Sequence, residues 1–297
     1  MRQSTSNLAL LVIPLVVAGA FLAHEAALAQ PVKMEIEPAR FEFTAWPGQV
    51  LPASVAFSNG SGAAMPIHAE GADFRPADED GKIAVGQAPD GGRSLKDWIA
   101  PGVRDLVAPA GAKTAIGFAV HVPADARPGA YWGVLVLKDP GQFHLAPIIL
   151  VNVLGEAPER LAVASFAGAV SATGSVTFVA RLRNDGALYE KPTGTVVVRN
   201  IFGTMVAEAA LPAENVLPGY VRRVAVSVGS GLWPGPYIAS VQATYGSAGH
   251  RVSSMAVVWV LPRWVLAGFA LGSVGILTVL AVFLRGRLRA KKLQVPT

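Results

Sequence analysis

The sequence predicts an all-β chain of two β-sandwiches in tandem, set between an N-terminal signal peptide and a C-terminal transmembrane α-helix. Three observations carry this. Residues 31–261 run in short stretches of Val, Ile, Ala and Phe broken every ten or so residues by Gly, Pro or Asn, and no part of them holds a helical period beyond about two turns. A set of turn motifs occurs twice in the same order. Each end of the chain carries a long uncharged apolar run. The divisions that follow are 1–29 for the signal peptide, 30–156 for a first sandwich with an inserted polar loop at 75–93, 157–261 for a second, 262–284 for the span and 285–297 for a basic cytoplasmic tail.

At the N-terminus, Arg2 precedes an apolar run from Leu8 to Ala23 and then Ala27-Leu28-Ala29, a positive region, a hydrophobic region and a small-x-small cleavage site. At the other end Trp264–Leu284 is 21 residues without a charge, enough at 1.5 Å per residue to cross a hydrocarbon core of about 30 Å. Arg285, Arg287, Arg289, Lys291 and Lys292 follow it, whereas Arg263 alone stands close before it. The positive-inside bias puts the tail in the cytoplasm and the body outside.

The formal charge of +5 belongs to that tail. Of the 25 Lys and Arg, seven lie outside the body (Arg2, Arg263 and five in the tail), leaving 18; of the 20 acidic residues only Glu25 does, leaving 19. A near-neutral body gives no support to nucleic acid as a partner. The chain has no cysteine, so thiolate zinc sites and cysteine nucleophiles are excluded.

The repeat fixes the two sandwiches. Pro128-Gly129-Ala130-Tyr131 and Pro234-Gly235-Pro236-Tyr237 each lead into a strand; upstream lie Ala108-Pro109-Ala110-Gly111 and Leu217-Pro218-Gly219, and further upstream Ser58-Asn59-Gly60 and Arg183-Asn184-Asp185-Gly186. The first half is longer between its turns by a polar, glycine-rich stretch, Arg75–Arg93, which reads as an inserted flexible loop. In Pro-Gly-x-Tyr, proline fixes φ near −65° and glycine supplies a positive φ. The tyrosine then packs in the core and bonds backbone through its hydroxyl, as in the tyrosine corner of immunoglobulin-like sandwiches.

Chemistry is sparse. His68, His121, His144 and His250 stand apart, and neither HExxH, GxSxG, GxGxxG nor a P-loop occurs. No catalytic residue, metal ligand or cofactor is assigned. Asp73, Asp78, Glu79, Asp80 and Asp90 cluster and could offer oxygen ligands to calcium, but without EF-hand alternation. The candidate interaction surface is aromatic: Trp98 before a Pro-Gly turn, Trp132 after a tyrosine at a strand start, and Trp233 at the second Pro-Gly turn. Alternation sends Tyr131 and Trp132 to opposite faces, so one of them points to solvent or to the neighbouring sandwich. The alternative is that each tryptophan caps a sandwich end.

Leu95-Lys96-Asp97-Trp98-Ile99, Val107–Gly111 and Val122–Tyr131 in the first half, and Asn184-Asp185-Gly186, Lys191-Pro192-Thr193-Gly194 and Leu217-Pro218-Gly219 in the second, resemble the WxL-interacting-protein-like family of bacterial surface proteins. The resemblance implies two immunoglobulin-like domains on the outer face of the membrane, binding cell-wall polymer or surface proteins. The expected function is accordingly a membrane-anchored, non-enzymatic interaction or scaffold protein that docks another envelope protein or a cell-wall component. A periplasmic assembly chaperone of two immunoglobulin-like domains is the alternative. It would offer an edge strand to its client and carry a basic pair in the cleft between domains, for which Arg181 with Arg183, or Arg222 with Arg223, are the candidates.

Overall fold

A computed structural model describes residues 34–139, 144–171, 175–228, 232–261 and 263–292. The predicted signal peptide lies outside the described residues.

The first twelve strands are β1 (Met34–Glu37), β2 (Arg40–Ala45), β3 (Val50–Asn59), β4 (Met65–Ala72), β5 (Phe74–Pro76), β6 (Ile83–Val85), β7 (Ile99–Pro101), β8 (Asp105–Ala108), β9 (Lys113–His121), β10 (Gly129–Lys138), β11 (His144–Leu145) and β12 (Ile148–Val153). They form one sheet in the order β1-β3-β9-β7 and a second in the order β2-β12-β10-β4-β8, with β11 on the end of β10 and β5-β6 as a separate hairpin. All neighbours are antiparallel except β2 and β12, which run parallel. Alternation builds the core. Val55 and Phe57 of β3 and Ile116, Phe118 and Val120 of β9 face Tyr131, Leu135, Leu137, Ile149 and Val151 of the other sheet.

The next seven strands are β13 (Leu161–Val170), β14 (Val176–Asn184), β15 (Thr193–Asn200), β16 (Met205–Leu211), β17 (Val221–Val228), β18 (Gly235–Tyr245) and β19 (His250–Val260). They form sheets β13-β14-β17 and β16-β15-β18-β19. Phe178, Leu182, Val224 and Val226 of one meet Val196, Val198, Tyr237, Val241 and Val258 of the other in a second core. Helix α1 (Arg263–Lys292) begins three residues after β19 ends. It is the one described helix long and apolar enough to cross a membrane, over Arg263–Arg285. The stretch read as a tail from residue 285 thus begins as a continuation of the helix to Lys292, because its Arg, Lys, Leu and Ala residues are good helix formers.

The repeated motifs perform repeated tasks. Asn59 is buried and donates through Nδ2 to the carbonyls of Ala63 (2.9 Å) and Ala108 (2.9 Å), while its Oδ1 accepts from the Ser61 amide. Asn184, also buried, donates to Leu188 (2.7 Å) and Val216 (2.8 Å) and accepts from the Gly186 amide. Each closes its turn by satisfying backbone groups that the bend withdraws from the ladder. Tyr131 and Tyr237 donate their hydroxyls to the carbonyls four residues earlier, of Arg127 (3.1 Å) and Trp233 (2.8 Å).

Gly129 (φ +137°) and Gly235 (φ +150°) take the conformation expected of them in the two Pro-Gly turns. Their surroundings differ. A Cβ at Gly129 would run into the Arg93 guanidinium and approach the Ala187 carbonyl, whereas one at Gly235 would meet open space. Gly235→Val should therefore cost about 1–3 kcal/mol of backbone strain, and Gly129→Val more. Thermal melts of the two variants check the order, and a larger loss at Gly235 would contradict it.

Candidate functional site

The two sandwiches meet in a joint with its own apolar cluster. β10 reads Gly-Ala-Tyr-Trp-Gly-Val-Leu-Val-Leu and is buried on both faces over Gly129–Leu137. Its odd-numbered side chains enter the first core. Ala130, Trp132, Val134 and Val136 point the other way and pack with Phe74, Leu150 and, from the second sandwich, Leu217, with Tyr189 and Tyr220 against them.

Trp132 is the centre of this cluster, 1% exposed. Its Nε1 donates to the Phe74 carbonyl (3.1 Å) and its ring stands edge-on to that of Tyr220 at 6.3 Å. As an anchor for an outside partner it is corrected: the alternation was as predicted, but the second sandwich covers the face. Trp98 is half-buried against the first core, with its ring 4.3 Å from that of Tyr131. Trp233 is 80% exposed.

Polar contacts lock the joint. Ala130 donates its amide to the Ala187 carbonyl (2.7 Å). Asn152 and Tyr189 form a reciprocal pair, Nδ2 to the Tyr189 carbonyl (3.2 Å) and the Tyr189 amide to Oδ1 (3.1 Å). Glu42 receives Lys191 Nζ (2.9 Å) and Asn215 Nδ2 (2.7 Å). The Tyr189 hydroxyl reaches toward the Phe43 carbonyl, and burial, with Glu42 nearby, pushes its pKa up to about 12.

The 75–93 insertion, expected as a loop, carries a short hairpin. Phe74 and Ile83 fasten its hairpin, β5-β6, to the joint cluster, and Asp78 Oδ1 accepts the amides of Asp80 and Lys82 to shape the tip. The tip grips the second sandwich. Arg181 and Arg223 lie directly opposite each other on β14 and β17, a like-charge pair that costs stability unless answered. Glu79 answers Arg181, whose Nε donates at 2.7 Å, and Asp80 answers Arg223 (2.9 Å). The Arg223 amide also donates to the Glu79 carbonyl (2.8 Å), and the Tyr220 hydroxyl to Asp90 (2.9 Å). Hydrogen bonding to Arg181 holds the Glu79 carboxyl below its ordinary pKa. Gly81, at φ +98°, lets the tip lie on the Arg222 guanidinium, which is ion-paired to Glu214 (2.8 Å). Asp73 accepts from Ser94 Oγ (2.5 Å). The five acids read as a cluster thus face separate partners, and no group of three or more His, Asp or Glu suited to a metal gathers among the described residues.

On another side of the joint lies a groove of about 600 Å³, lined by Thr44 and Asn152 of the first sandwich and by Glu159, Tyr189, Glu190 and His250 of the second. Glu190 is 4% exposed, and its Oε1 has no hydrogen-bond partner. Its backbone is pinned by exchange with Val216, amide to carbonyl in both directions (3.1 and 2.8 Å). Burial, with the charge of Glu159 beside it, raises its pKa to about 7. Burial pushes Glu159 up too, but the Ser247 amide (3.0 Å) and its neighbours outweigh that and hold it below its ordinary value; His250 Nε2 lies 3.5 Å away. The groove therefore holds two carboxyls, Glu159 largely buried and paired, and Glu190 buried with one oxygen, Oε1, lacking a partner.

No family model matches the chain. No curated protein matches it either. Among solved structures it is similar to a chain of the chaperone–tip adhesin complex of CFA/I fimbriae biogenesis, at 13% identity over 78% of this chain and 100% of the other, with a TM-score of 0.37. The class 5 fimbriae chaperone CfaA gives 12%, 77%, 100% and 0.36 in the same terms. The CupB2 chaperone of Pseudomonas aeruginosa gives 10%, 76%, 100% and 0.34. Likenesses this loose carry no argument about what this chain binds.

The residues that organise the joint, Asn152, Tyr189, Glu190 and Tyr220, escaped the sequence reading. The one available signal was the two-sided apolar run of β10, which calls for cover on its outer face.

Proposed function

We propose that the chain is a membrane-tethered, extracytoplasmic interaction module, two immunoglobulin-like sandwiches locked into one unit, which docks another envelope protein without catalysing a reaction. The body stands outside the cytoplasm and α1 is its anchor. The observation that carries the proposal is the open groove at the joint, where the buried Glu190 carboxyl keeps one oxygen, Oε1, without a hydrogen-bond partner. A lysine or arginine of a partner entering the groove would bring positive charge beside the two carboxyls, Glu159 and Glu190, that line it. That favours a protein over a neutral cell-wall glycan.

The assembly-chaperone alternative calls for free basic residues in the cleft. Arg181, Arg223 and Arg183 are held by Glu79, Asp80 and Asp185 (2.9 Å for the last), while Arg222 pairs with Glu214 through one Nη and leaves its buried Nε without a partner. This supports docking over client-carboxylate binding.

Mild crosslinking and pulldown of the detergent-solubilised full chain should recover one abundant envelope protein. Capture should survive about 0.5 M salt, because buried pairs are weakly screened, and should drop at least tenfold in Glu190→Gln. Glu208→Gln, on the exposed strand β16, should leave it unchanged. Equal capture by both variants would dispose of the groove as the docking site.

A further inference from the structure

The outward face of the four-stranded sheet in the second sandwich changes character along its length. Facing pairs on β18 and β19 run Thr244/Arg251, Gln242/Ser253, Ser240/Met255, Ile238/Val257 and Pro236/Trp259 in register. The far end is polar and the end next to α1 is apolar, with the change between Ser253 and Met255. Met255, Val257 and Trp259 are each 60% exposed or more. Two turns add to that end. Asn200 is opposite Tyr237, which sets the β15–β16 turn and the 85%-exposed Phe202 there, and Trp233 stands two residues before Gly235, itself opposite Val260.

An apolar surface of this extent is unusual on a soluble body. What covers it follows from the chain path. β19 ends at Val260 and α1 starts at Arg263, so the two are at most about 10 Å apart. With α1 across the membrane, this end of the sandwich stands at the outer headgroup layer, the depth that Trp favours. Met255 lies about 13 Å up the strand from Trp259, farther than an upright sandwich would dip. For Met255 to reach that layer, the sandwich has to lean onto this face.

We infer that the α1-proximal end of the second sandwich is a lipid-docking surface, bedded obliquely in the headgroup region of the outer leaflet through Phe202, Trp233, Ile238, Met255, Val257 and Trp259. The tether is then a fixed mount that sets the angle of the groove above the membrane. The inference rests on α1 being a span.

The chain has no cysteine, so single-cysteine spin labels report one position at a time. Phe202→Cys, Met255→Cys and Val257→Cys are placed beside Ser253→Cys and a helix control, Val274→Cys, in the full chain reconstituted in phosphatidylcholine vesicles. Oxygen and a water-soluble nickel chelate compete as relaxants. Phe202, Met255 and Val257 labels should favour oxygen severalfold more than Ser253, with Val274 highest. Lipid depth at Val274 with water-like values at the other three would overturn the docking surface alone. Water-like values at Val274 would overturn the span, and the docking surface with it. Spin–spin broadening at Met255 that fades on dilution with unlabelled protein would show a second copy on the face, and would equally overturn the inference.

Discussion

Trp132→Ala should destabilise the body by about 3–5 kcal/mol, the loss expected for emptying a fully buried aromatic site. It would also strip the Phe74 carbonyl of its Nε1 donor. The damage should be specific. Because Trp132 faces the joint cluster and not the first core, the sandwiches should part before either melts, and one unfolding transition should become two. Calorimetry of wild type and variant checks this. A loss below about 1 kcal/mol, with a single sharp transition kept, would mean that the tryptophan is not the keystone of the joint.

Glu190→Gln should stabilise the free protein at pH 8, by up to about 3 kcal/mol, and do little at pH 5. The carboxyl has a native pKa near 7 against about 4.5 when unfolded. Between those values the native state holds a proton that the unfolded chain has lost, so stability contributed by this group is present below pH 4.5, falls as pH rises to about 7 and levels off above it. A glutamine stays neutral throughout. Denaturant unfolding of both proteins at the two pH values is the check, and a variant less stable at pH 8 would show that the native carboxylate has a partner. The same result bears on binding, since a stabilised variant cannot lose its partner by unfolding.

Much of the architecture was legible because it rests on local rules. Period-two alternation marked the strands, the two Pro-Gly-x-Tyr turns carry the positive φ and the tyrosine hydrogen bonds expected of them, and Asn59 and Asn184 bond alike. The joint was not legible, for a physical reason. Alternation says that Trp132 leaves the first core but not what it meets, and only the packed second sandwich decides between solvent and Leu217. The 75–93 segment looked solvated because its acids and glycines are those of a loop, while the arginines that order it lie about a hundred residues on, at Arg181 and beyond. Glu190 sits in a Tyr-Glu-Lys-Pro run that reads as surface. Its burial comes from tertiary neighbours such as Glu159 and Gly246, which no local pattern announces.

Partner docking at the groove is most directly tested by photocrosslinking in intact cells, with a benzophenone amino acid placed at Leu188, on the groove, and in parallel at His121, an exposed site at the end of β9. One discrete adduct is expected from Leu188, lost when Glu190→Gln is added, and none from His121. An adduct from His121 with none from Leu188, in cells where both proteins are present at equal levels, would contradict it.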